Sequence, residues 1–115
     1  MLTVELLREY GADTDRALER CLNNEEFYLR LVRKAADSPD FDLLEEALSA
    51  KDLDAAFEHA HKLKGMLTNL SLTPLSSPVV ELTETLRGRA DTDYGPYLDR
   101  IAEERERLAA LLGER

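Results

Sequence analysis

Between Asp52 and Ser71, the residues Leu53, Ala56, Ala60, Leu63, Leu67 and Leu70 recur at spacings of three and four, with no proline among them. That period is the helical one, so the six side chains form one apolar stripe along a single face. Such a stripe is not stable alone in water; other elements have to cover it. Composition identifies those elements as helices. The chain has 22 Leu and 13 Ala against 4 Val and 1 Ile, and β-branched residues are the ones that favour strands.

Glycine and proline mark where the helices stop. Gly11, Gly88, Gly95 and Gly113, with Pro39, Pro74, Pro78 and Pro96, fall between helical stretches or at their ends. The pattern predicts helices over about 2–10, 13–22, 25–37, 39–50 and 52–71, then one ending near 87 and one ending near 112. Ser38-Pro39-Asp40 reads as an N-cap with proline at the first helical position; a single long helix bent at Pro39 is the alternative. Thr73-Pro74 and Ser77-Pro78 are competing starts for the sixth helix. The expected fold is all-α. It is an antiparallel four-helix bundle built from about 25–50, 52–71, 75–88 and 94–112, with the short N-terminal helices packed across one end. At 115 residues, residues 1–115 are expected to form a single domain. Met1 and the full set of helices favour a free-standing chain.

Fifteen basic and 24 acidic residues leave a net charge of −9. Such a surface repels phosphate backbones and anionic lipid, so neither nucleic acid nor a membrane is an expected partner. No apolar run approaches the roughly 18 residues of a membrane span, and no signal-peptide pattern opens the chain. The lone cysteine, Cys21, has no partner for an internal disulfide, which fits a cytoplasmic setting. One Cys and two His are too few for a structural zinc site, and no metal site is expected in this chain. A monomer is expected.

The face of the 52–71 helix away from the stripe carries the chemistry. With residues about 100° apart, His61 points roughly 130° from the centre of the stripe. Lys64, Gly65 and Thr68, at i+3, i+4 and i+7, share its face. His59 lies roughly 160° round the helix from His61 and reads as a flank residue against a neighbouring helix. Gly65 is anomalous, because glycine in a helix interior costs about 1 kcal/mol relative to alanine. Close packing against another helix would explain it, but the wheel puts Gly65 opposite the core. Leaving room above His61 for a bulky visitor explains it better.

Ala60-His61-Lys62-Leu63-Lys64-Gly65 resembles the A-H-x-L-K-G motif of histidine-containing phosphotransfer (HPt) domains of bacterial phosphorelays. Gly11-Ala12-Asp13 with Ala17-Leu18, and Glu26-Phe27-Tyr28, are similar to the family's N-terminal pattern. Leu44, Leu48 and Asp52 are spaced as in the helix before the motif, and Asn69-Leu70 follow as in the family. The resemblance covers about residues 9–90. It implies that His61 is the phosphoryl acceptor and donor, that Lys64 neutralises phosphoryl charge, and that Gly65 clears space for a receiver domain. Phe57, Met66 and Thr68 would border the docking face. The implied partners are response-regulator receiver domains and a sensor histidine kinase, hybrid or otherwise. The receiver would bring the Mg²⁺ and the aspartate, and this chain would bind no cofactor. The chain departs from the family at Met66 and Leu67, where small residues are usual, at Ser71 in place of glycine, and at Pro78 inside the next helix.

The residues alone support a carrier better than a catalyst. An imidazole, with a reference pKa of about 6.5, is largely neutral near neutral pH and is then a competent nucleophile. Phosphoryl transfer also needs charge neutralisation, which Lys64 can give, with Lys62 more distant. No nucleotide-binding loop is present for an autonomous kinase. The alternative function is a non-phosphorylated helical adaptor that binds a receiver or kinase domain. Phe57, one turn before His61, could close the core edge or present an apolar docking contact. The surface near His61 is expected to be poorer in charge than the rest, with Asp54 and Glu58 the carboxylates best placed to oppose docking.

Overall fold

The computed structural model describes residues 2–113, and among these the regular structure is entirely helical. The elements are α1 (Val4–Tyr10), α2 (Thr14–Arg20), α3 (Glu25–Ala36), α4 (Asp40–Ser49), α5 (Leu53–Asn69), α6 (Thr73–Arg87) and α7 (Gly95–Leu111). Side chains cap several of them. Thr3, Asp13, Asn24 and Asp52 each accept a backbone N–H from the first turn of the helix they open.

The first arm of the bundle is two helices rather than one bent helix. Pro39 is already helical (φ −68°, ψ −14°), and Ser38 Oγ accepts the Asp40 N–H at 3.2 Å. Helix α4 therefore starts as the Ser-Pro-Asp signal suggests. Of the two competing starts for α6, the structure takes the earlier, at Thr73. Leu75, in that first turn, is completely buried. Pro78 sits inside the helix, forgoing one backbone hydrogen bond, with its ring buried.

Cross-helix contacts fix the directions. His59 on α5 meets Asp40 at the start of α4. Asp54 at the start of α5 pairs with Arg89 just past α6. Tyr97 and Arg100 of α7 meet Thr85 and Glu81 of α6. These pairings, with the short connections between successive helices, make the arm α3–α4 and helices α5, α6 and α7 run alternately up and down. Arg105 of α7 holds the α3–α4 break, lying 4.4 Å over the Phe41 ring and reaching the Ala36 carbonyl. The two N-terminal helices close the end of the bundle where α5 stops and α6 starts. Arg20 donates to the Asn69 carbonyl at 2.7 Å and the Asp13 N–H to the Ser71 carbonyl at 3.0 Å. Tyr10 Oη donates to the Glu104 carbonyl on α7.

One apolar core draws on all seven helices. In α5 the stripe of Ala56, Ala60, Leu63 and Leu67 is wholly buried, which turns the opposite face of that helix outward. No helix among the described residues is long and apolar enough to cross a membrane.

Candidate functional site

His61 stands exposed near the middle of α5. Neither ring nitrogen hydrogen-bonds to a described residue, and the ring's contact is a stack on Phe57, with centroids 5.7 Å apart and planes 18° from parallel. The stack follows from sequence spacing, since Phe57 is four residues earlier on the same face. Phe57 is half-buried and packs against the core. Its packing fits the reading in which it closes the edge of the bundle, and the same ring stacks on the imidazole. His59 is elsewhere. Its Nδ1 lies 2.8 Å from Asp40 Oδ1, in a pair whose side chains are 22% and 17% exposed, as expected of a flank residue.

Gly65, one turn past His61, is exposed, and a Cβ placed on it would meet nothing within 4 Å. Packing therefore does not explain the glycine. The helix surface beside His61 is bare backbone facing open space. Thr68 is exposed at the far end of this face, and its hydroxyl donates to the Lys64 carbonyl at 2.7 Å. Met66 is half-buried and packs against the core from the edge of the face.

Lys64 departs from the expectation of a freely exposed cation. Its side chain is only 29% exposed, and Nζ lies 3.8 Å from Glu84 Oε2 on α6. The other oxygen of that carboxylate, Oε1, lies 3.4 Å from Arg87 Nε. Arg87 in turn places its guanidinium carbon 5.1 Å from the centroid of the Phe57 ring on which His61 stacks. The antiparallel run of α6 beside α5 thus adds two residues, Glu84 and Arg87, that periodicity along α5 does not reveal. The sequence signal for them is an i, i+3 pair on α6 in antiparallel register with His61.

The surface around His61 is accordingly not poor in charge. It is balanced, because cations of α5, of α6 and of the segment just past α6 face the carboxylates. Asp54 is matched by Arg89 and Glu84 by Lys64 and Arg87, while Glu58 is exposed. A shallow groove lined by Leu53, Phe57, Leu86 and Arg87 opens between α5 and α6 beside this surface.

The geometry gives an accessible imidazole, one cation a turn along the helix, a second over the ring on which the imidazole stacks, and clear space beside it. The family model for the Hpt domain matches residues 29–111. The match omits the N-terminal stretch around Gly11 and Phe27 and includes the last helix, so it lies further along the chain than the 9–90 span of the motif comparison. Neither the search of curated proteins nor that of solved structures gives a match.

Proposed function

The chain belongs to the Hpt domain family, whose members carry phosphoryl groups on histidine in phosphorelays, and from that premise we propose that His61 is the residue phosphorylated. The observation that carries this reading is the exposed, unbonded imidazole beside a glycine whose missing side chain would meet nothing. A receiver domain, holding Mg²⁺ and an aspartyl phosphate, docks over Gly65. The unprotonated ring nitrogen of His61 attacks phosphorus. The N–P bond forms, the acyl P–O bond breaks, and its electron pair returns to the aspartate carboxylate. The imidazole's remaining N–H then carries the extra positive charge or loses its proton to water. Phe57 orients the ring during attack, and Lys64 meets the charge of the transferred group. The chain is a carrier that exchanges phosphoryl groups with receiver domains, and a sensor histidine kinase stands upstream. Its charge and its helices suit a protein that meets neither nucleic acid nor a membrane.

The test is transfer from receiver domains charged with acetyl phosphate. Wild type and His59→Ala should take up acid-labile label, while folded His61→Gln should take up none. An exposed helix position should move stability by no more than about 0.5 kcal/mol, which circular dichroism on heating will check. Label retained in His61→Gln and lost in His59→Ala would overturn the assignment. Receiver binding without label in any variant would point to an adaptor.

A further inference from the structure

Glu84 pairs with both Lys64 and Arg87 while its own side chain is 55% exposed. One carboxylate oxygen faces Lys64 Nζ at 3.8 Å and the other faces Arg87 Nε at 3.4 Å. Both distances are long for charge-assisted hydrogen bonds, whose usual range is about 2.7–2.9 Å. The pairs are therefore loose and cheaply broken. Lys64 sits three residues beyond His61 on α5, and Arg87 lies over the ring that His61 stacks on. A phosphoryl group on His61 would carry up to two negative charges into this cluster.

Resting on the reading of His61 as the phosphorylated residue, we infer that Glu84 is a stand-in anion that holds Lys64 and Arg87 at the site until the phosphoryl group takes them over. In the unphosphorylated protein the carboxylate keeps two flexible cations beside the imidazole. After phosphorylation the phosphoryl oxygens and the carboxylate compete for the same two cations. The dianion wins, and Glu84 turns to solvent. Glu84 thus acts through Lys64 and Arg87 as a positioning residue. It also limits how strongly the site retains its cargo, because the unphosphorylated state keeps an ion pair that the phosphorylated state gives up. A carrier that must both accept and release needs that restraint.

Two measurements test this. In the first, the protein is phosphorylated chemically with phosphoramidate, with no receiver present, and side-chain nitrogen resonances are followed by NMR. The Arg87 Nε–H and Lys64 Nζ signals should both shift on phosphorylation of wild type, while Arg100, paired with Glu81 across α6 and α7, stays in place. In the second, the equilibrium partition of phosphate between the protein and a receiver is compared for wild type and Glu84→Gln. The isosteric amide removes the competing charge, so the partition should move towards the phosphorylated carrier by about threefold, the size of one loose surface pair. The gain should fall away in an Arg87→Ala, Lys64→Ala background and shrink in high salt. Unmoved Arg87 and Lys64 signals, or an unchanged partition in folded Glu84→Gln, would overturn the inference and leave the carrier function standing. Shifted signals after chemical phosphorylation with no transfer from any receiver would leave the charge exchange standing and remove the carrier function.

Discussion

At the scale of single residues, the site rests on what Gly65 lacks. The helix gives up about 1 kcal/mol to place a glycine in its interior, and no atom of the protein lies where its side chain would go. Stability and function should therefore part company at this position. Gly65→Ala should raise stability by about 0.5–1 kcal/mol in urea unfolding, because the new methyl group meets open space. On the proposed reading, Gly65→Leu should leave the bundle folded and slow receiver-to-protein transfer by on the order of tenfold to a hundredfold, because its side chain would fill the space proposed for the receiver. Transfer at the wild-type rate in a folded Gly65→Leu protein would show that the clearance is not needed. The helix face shared by His61, Lys64 and Gly65 was legible in the sequence because one helix carries all three at fixed angular offsets. Glu84 and Arg87 were not. Their place depends on the register between α5 and α6, which the period of either helix alone does not encode.

At the scale of elements, several helices end without the glycine that usually marks a stop. Asp52 opens α5 as the sequence suggests, but the helix stops at Asn69, two residues before the expected 71. The hydrogen bonds explain why. At the ends of α2, α4, α5 and α6, two N–H groups beyond the helix fold back on the last-turn carbonyls, as in Asp52 N–H to the Ala47 carbonyl at 2.9 Å and Leu72 N–H to the Leu67 carbonyl at 3.1 Å. This closing turn needs a left-handed residue, a role that usually falls to glycine. Here Leu22, Lys51, Ser71 and Arg89 take it, with φ between 51° and 58°. Gly11 and Gly113 are the left-handed glycines at helix ends that a reader of glycines would find, and the neighbour of Gly11 in space is Pro74 of α6. The break between α3 and α4 stayed ambiguous for a related reason. Pro39 fits both a bend and a fresh start, and contacts distant in sequence, from His59 and Arg105, accompany the fresh start. Lys51→Gly tests the cost of these turns. Its side chain is exposed, so relief of the left-handed strain should outweigh the added chain entropy and raise stability by about 0.5–1 kcal/mol. Equal or lower stability in urea would mean that the turn is unstrained.

At the scale of the whole molecule, two tyrosines join the N-terminal helices and α3 to the end of the bundle, and their chemistry sets how the protein fails in alkali. Tyr28 is completely buried, and its hydroxyl donates to the Leu70 carbonyl at 2.9 Å, where α5 ends. Burial is the main cause that pushes its phenol up from 10.0 to about 12, with Cys21 and Asp13 adding to it. The Tyr10 phenol is raised further still, by burial and by Glu104, against a smaller lowering by Arg107. In both cases the folded protein holds the phenol proton more tightly than the unfolded chain does. The stabilisation is therefore complete below about pH 10 and is lost as pH rises through the folded-state values. For Tyr28 alone the shift corresponds to on the order of 2–3 kcal/mol, a large part of the stability of a domain this size. Urea unfolding at stepped pH should show stability level up to about pH 10 and falling steeply towards pH 12. Phenolate absorbance of the folded protein should lag behind that of the unfolded chain. Tyr28→Phe should be less stable at neutral pH by about 1 kcal/mol, because the Leu70 carbonyl loses its donor, and its stability should fall less steeply in alkali. A wild-type protein whose stability is unchanged between pH 10 and 12 would mean that these two hydroxyls titrate freely and do not hold the end of the bundle closed.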